Sequence, residues 1–264
     1  MKECWANSLG DCGGEISREH YVSECVFPKQ SIFVQGHDWC LERPKECRIE
    51  TLTAKILCKH HNETLSELDA AAGQAFNSIR AFTETRMNRA GMPYLNWAPK
   101  QFTIDGRRLE RWCLKTLLNF SFNRQLIIGP GNHRAGIVDS NLARIAFGLD
   151  EFTEGRGLYI AFREQETFNL EDRFGYTAKA QGPNLMMGHF RLHGFRFYLN
   201  LLSATTAYDH IEDSKVFHRE AHFVDPVEPV TAIDNANSIE SLIRSSNSRN
   251  RFRQKLSIAW SSVG

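Results

Sequence analysis

Leu57-Cys-Lys-His-His-Asn-Glu-Thr-Leu-Ser-Glu-Leu-Asp69 carries two signals in one short run. Cys58 and His61 stand two residues apart, a spacing at which a single turn presents two soft donors to one tetrahedral cation. From Asn62 onward Leu65, Leu68, Ala72, Phe76 and Ile79 recur at helical spacing, which predicts an amphipathic helix over 62–79, directly behind the ligand pair. A second pair of donors lies near the N-terminus, where Cys4 and Cys12 are separated by seven residues. That gap is wider than the usual two to four, and Gly10, Gly13 and Gly14 supply the backbone freedom for such a long knuckle to fold back. Cys4, Cys12, Cys58 and His61 are therefore the expected ligands of a structural zinc ion. His60 is the competing imidazole, but the two-residue gap favours His61.

Between the two pairs runs Ser17-Arg-Glu-His20, an acid followed by a histidine, and Asn62 follows the second pair immediately. With these elements in this order, the first third of the chain resembles the zinc-containing branch of the HNH, or His-Me finger, endonucleases. The resemblance implies a ββα-metal unit, with the histidine ending the first strand and the asparagine near the start of the helix. His20 would then take the proton from the attacking water, since an imidazole titrates near neutrality. The Asn62 side-chain oxygen would help hold a catalytic Mg²⁺ or Mn²⁺, and Glu19 would add a second oxygen. Arg18, Lys59 and His60 flank these groups and are the expected substrate contacts. Zinc would be structural, because so short a unit has too little core to hold strand and helix in register. Three positions depart from the family pattern. No asparagine lies between Tyr21 and His61, so Thr51 or Thr53 would have to brace the loop. Ser23 stands where a proline is common, and His61 replaces a thiolate.

Farther along, Gly91, Pro93 and Pro99 mark Arg86 to Pro99 as linker-like. A second helix is predicted over Gly106 to Phe122, with Leu109, Trp112, Cys113, Leu117 and Phe120 on one face and Arg107, Arg108, Arg111 and Lys115 largely elsewhere. Then come β-rich runs at 158–162, 174–179 and 188–202, the last with Gly194 as a bulge. A short helix and a closing strand are expected within 239–260. The expected architecture is α+β. It comprises a zinc-stapled HNH module over 1–82, a linker over 83–104, and an α+β domain with an antiparallel sheet over 105–264 that selects substrate, binds a partner or controls the nuclease.

A chain of 264 residues that is 42% hydrophobic can bury a sizeable core. Its formal net charge of +1 excludes attraction to a polyanion by total charge alone, so nucleic-acid contact must come from local clusters. Met1 to Gly10 lacks the apolar stretch of a signal peptide, and no segment reaches the length of a membrane span. The expectation is a soluble, cytoplasmic protein with nucleic acid, chiefly DNA, as its partner and no membrane. The C-terminal region would carry any homo-oligomer or protein contact. Without an export signal, the seven cysteines read as ligands or buried groups rather than disulfides. Cys113 is expected in the core, and Cys25, Cys40 and Cys47 are spare thiols. His37 reads as a turn residue, and the basic run Arg244, Arg249, Arg251, Arg253 and Lys255 as solvated surface. His189, Arg191, His193 and Arg196 fit a groove for nucleic acid and a half-exposed sheet face equally well. The function expected is a metal-dependent endonuclease, and the alternative is a non-cleaving zinc-dependent module that binds nucleic acid or protein.

Overall fold

The computed structural model describes residues 3–27, 31–34, 40, 42–92, 98–124, 126–129, 134–153, 155–162, 174–202, 215–224 and 254–260. The expected tail helix before residue 254, His37, and all of the basic run except Lys255 lie outside the described residues. β1 (Ile16–His20) crosses a long stretch of sequence to find its partner. That stretch contains a small hairpin of β2 (Ser31–Val34) and β3 (Lys45–Arg48). β4 (Thr53–Cys58) then runs antiparallel to β1, from Ile16 opposite Cys58 to His20 opposite Thr53, with a bulge between Ser17 and Arg18. Ile56, Leu57 and Cys58 are fully buried, and this apolar end of β4 feeds directly into α1 (Lys59–Thr64).

The helix expected as one segment is two. α1 ends at Leu65, whose side chain is buried, and α2 (Ser66–Gly91) begins immediately after it. α2 also runs well past Ile79, carrying Phe82 into the core, so Arg86 to Gly91 is helix rather than linker. The end of the expected linker is β5 (Lys100–Asp105). Gly91 and Pro99 therefore punctuate the ends of regular elements, and the linker reading of 83–104 gives way to helix and strand. α3 (Gly106–Ser121) follows as expected, capped by the Asp105 carboxylate, which accepts a hydrogen bond from the Arg108 backbone N–H. Its burial is wider than one face predicts, since Glu110 and Lys115 are buried together with Leu109, Trp112, Cys113 and Leu117.

Next in the chain come β6 (Ile127–Ile128), α4 (Ser140–Ala146), β7 (Gly157–Phe162), β8 (Gly175–Gln181), β9 (Asn184–Leu192), β10 (Phe195–Asn200), β11 (Lys215–His218), β12 (Ala221–Val224) and β13 (Gln254–Ala259). The largest sheet has the order β11-β7-β10-β9-β6, with β8 also paired to β9. All its pairings are antiparallel except that of β6. The expected single run 188–202 is a hairpin. His193 and Gly194 both take positive φ, 50° and 86°, the geometry of a two-residue turn whose twist matches its strands, so Gly194 makes a turn and not a bulge. A second sheet sets β13 between β12 and β5, parallel to β5.

One contiguous core runs through the chain, from Trp5, Ile56 and Leu57 through Phe76 and Ile79 to Trp112, Phe190 and Phe197. Trp112 is its hub, with its ring 5.2 Å from Phe76 and 6.3 Å from Phe190. The β1–β4–α1 unit thus packs against α2 and α3 instead of closing a core of its own. Among the described residues no helix is long and apolar enough to cross a membrane.

Candidate functional site

Cys4, Cys12, Cys58 and His61 converge: one donor atom from each lies within 4.8 Å of every other. The His61 Nδ1 is 3.3 Å from the Cys4 sulfur, 3.8 Å from Cys12 and 3.2 Å from Cys58. This set could hold a metal ion. Local folding explains the convergence. Cys58 occupies the N-cap of α1, so His61 sits one turn along on the same face. The N-terminal knuckle then folds back over α1, with the Lys59 and His60 amides donating to the carbonyls of Glu15 and Gly13. A Cβ on Gly14 would meet the Lys59 Cβ at 3.0 Å, and Gly14 also takes φ +73°. The close approach therefore needs glycine there.

The protonation of these groups suits a cation. Burial works against ionising Cys58, but the His61 and Gly13 amides and the Cys4 and Cys12 thiols all point at its sulfur and bring it below the ordinary thiol value. Burial first, and then the neighbouring sulfurs, push Cys4 up to about 12, and burial likewise raises Cys12. A divalent charge at the centre would reverse this repulsion and release the protons. His61 is fully buried, and its far ring nitrogen, Nε2, donates to the Asp11 carboxylate at 2.7 Å. That bond holds the Asp11 carboxyl below the usual carboxylate range. A ring tethered in this way presents a fixed tautomer to a metal. Phe147, just after α4, packs edge-on against the same ring at 5.0 Å, so the cluster is sealed by a residue from the far half of the chain.

At the other end of β1 the side chains divide. His20 is half-buried, its carbonyl accepts from Asn119 Nδ2 at 2.9 Å, and its own Nε2 is buried with no hydrogen-bond partner among the described residues. Glu19 faces the opposite way, as neighbours on a strand must. It pairs with Lys115 at 2.7 Å and accepts from Asn119 at 3.3 Å. Lys115, itself 2% exposed, also binds both oxygens of Asp69, at 2.7 and 2.8 Å. Ser23 adds a bond to Asp69 and accepts from the Trp112 indole at 2.7 Å, which gives the residue at the proline position a definite task. Burial raises the Glu19 pKa, and Lys115 pulls it back only in part. Glu19 is thus a structural carboxylate, and the expectation that it would offer oxygen to a catalytic cation is corrected.

Asn62 lies against β1, donating through Nδ2 to the Ser17 hydroxyl at 2.9 Å and the Arg18 carbonyl at 3.1 Å. Its Oδ1 is the atom left over. These anchors stand two to three residues short of His20, about 7–10 Å along the strand at roughly 3.3 Å per residue. Arg18, Lys59 and His60 are exposed. Lys59 pairs loosely with Glu63 at 3.8 Å, and His60 sits 3.6 Å from Asp11. Thr51 donates to the Arg48 carbonyl at 2.7 Å and braces the turn before β4. On the large sheet His189 stacks on Tyr198 at 4.4 Å, and burial followed by the charge of Arg196 lowers its pKa to about 4. Asp11, Asp69, Lys115 and Asn119 were not among the site residues expected from the sequence. Only Asp11 carried a signal there, as an acid beside a ligand cysteine.

No family model matches this chain, and neither does any curated protein or solved structure.

Proposed function

We propose that the chain is a metal-dependent endonuclease that hydrolyses phosphodiester bonds in nucleic acid, with DNA as the expected substrate and a structural zinc in the Cys/His cluster. The observation that carries the reading is the β1–β4–α1 unit, with His20 at the end of β1 and its Nε2 without a hydrogen-bond partner among the described residues. A buried ring nitrogen without a partner costs about 1–3 kcal/mol, and a reacting water gives that cost a purpose. His20 Nε2 would take the proton as the water oxygen attacks phosphorus and the bond to the 3′-oxygen breaks.

The Cys/His set fits zinc. Bonds of about 2.3 Å to sulfur and 2.0–2.1 Å to nitrogen place sulfur and nitrogen about 3.6 Å apart in a tetrahedron. The observed separations of 3.2 to 3.8 Å span that value. The catalytic ion is a different case. With Glu19 withdrawn, Asn62 Oδ1 is the remaining expected oxygen ligand, so water and substrate phosphate would complete much of the shell, as is common for Mg²⁺. Such an ion would neutralise charge on the phosphate. A second reading, a module that grips nucleic acid without cutting it, is favoured by the Glu19–Lys115 pair and by the use of the Asn62 amide on β1.

The two readings separate when purified protein is incubated with supercoiled plasmid and with single-stranded DNA or RNA, in Mg²⁺, Mn²⁺ or chelator, beside His20→Ala. Cleavage that needs metal and falls about 10²–10⁴-fold in the variant is the expected result. If wild type and variant are indistinguishable in every metal, the nuclease reading fails.

A further inference from the structure

Just beyond His20 the strand opens onto a pocket of about 240 Å³. Val22, two residues past His20, and Leu52, one residue before its partner Thr53, form the near wall. The Tyr21 amide donates to the Leu52 carbonyl at 2.9 Å and fixes that corner. Phe120 and Tyr176 line the pocket and stack on each other at 4.1 Å with an 18° tilt. Tyr21 extends the stack from the other side of Phe120, at 5.1 Å and 13°. Phe33, on the β2–β3 hairpin, also lines the pocket yet is 64% exposed. Exposed Arg124 stands at the rim, just after α3.

We propose that this pocket receives an unpaired nucleobase of the substrate, so that the protein acts on single-stranded nucleic acid. The proposal rests on the nuclease reading and names the substrate class of that site. Three features select this occupant. The cavity is smaller than the roughly 300–1,000 Å³ of pockets that take drug-sized ligands, so it suits a single ring system. Beside the closed Tyr21–Phe120–Tyr176 stack, Phe33 and Phe174 bring further aromatic rings to its walls, and such rings bind any base by stacking but cannot reach a base still stacked in a duplex. The guanidinium at the rim complements the phosphate that a base brings with it. Phe33 then has a role: its exposed ring closes on the base from the hairpin side.

The test measures fluorescence anisotropy with the full chain carrying His20→Ala, so that binding is read without cleavage. The probes are a short labelled single-stranded oligodeoxynucleotide, its duplex, and a strand of equal length built from abasic units. The single strand is expected to bind tightest. Phe33→Ala and Ala178→Leu, the latter filling the pocket, should each weaken it by roughly 5- to 150-fold, the worth of one stacked base, while leaving the abasic strand unchanged. Equal binding of abasic and normal strands, or a preference for duplex, overturns the proposal. So does unchanged affinity in both variants, with their melting curves confirming that they fold. Failure of the nuclease reading shows separately, as wild type and His20→Ala leaving the single strand, as well as the plasmid, equally cut or equally uncut in every metal.

Discussion

The β1–β4–α1 unit is tied to its surroundings by two buried polar centres that work on opposite principles. At one end, three sulfurs and an imidazole crowd together with no opposite charge of their own inside the cluster. Around Glu19, by contrast, Lys115 meets two carboxylates and Asn119 fills the remaining space. The first centre could hold a cation that would balance it. The second is close to self-sufficient. With a metal bound, the β1–β4–α1 unit would be held by one exchangeable tie and one permanent tie, and the two should fail under different treatments.

Removing metal should have the largest effect. Structural zinc contributes about 10–16 kcal/mol of apparent binding energy in small sites, so a strong chelator or Cys58→Ser should lower the melting temperature by more than about 10 °C, at about 2–4 °C per kcal/mol for a chain of this size. An unchanged melt, together with no metal by elemental analysis, would reduce the cluster to ordinary buried thiols. Lys115→Met comes next. It strands two carboxylates, and a loss of about 3–5 kcal/mol in denaturant unfolding is expected, with metal content intact. This loss has a definite pH sense. Burial already raises the Glu19 pKa above 4.5, so the folded state holds the proton more tightly than the unfolded one. The penalty should be slight below that pH, where the carboxyl is neutral in both states, and should grow as pH rises through the folded value. A penalty independent of pH would show that Glu19 is not the group responsible. Asp11→Asn should do least, weakening metal affinity about 10- to 100-fold in a competition titration while the Lys115 centre is untouched. No change in affinity would mean that the Asp11 bond does not orient His61.

These two centres also mark where sequence was legible and where it was not. The ligand set could be read because Cys58 and His61 are one helical turn apart and glycines surround the longer gap. Asp11 could not be assigned a role, since only the folded knuckle aims its carboxylate at His61. Glu19 was misplaced although strand alternation alone sets it and His20 on opposite faces; the resemblance of Glu19-His20 to a catalytic pair overrode that rule. Lys115 counted as a polar-face residue, but from Trp112 to Ser121 α3 is buried on every face, and the charge of Lys115 is neutralised by acids far away in sequence. The α+β class, α3, and the strands near 158–162 and 174–179 followed from periodicity. The linker reading failed because Gly91 and Pro99 mark only the ends of α2 and β5, and one residue type serves both for ending an element and for linking two.

The parallel pairing of β13 with β5 has a consequence for biosynthesis. Lys100 cannot meet Gln254, nor can the Gln254 amide reach the Phe82 carbonyl at 2.9 Å, until the ribosome has made the residues between. At about 5–20 residues per second that wait is roughly 8–30 s, during which α2 and β5 are exposed without their neighbour. A nascent chain would therefore carry its His20 region long before the scaffold around α2 and α3 is complete, which delays the finished fold until translation has passed β13.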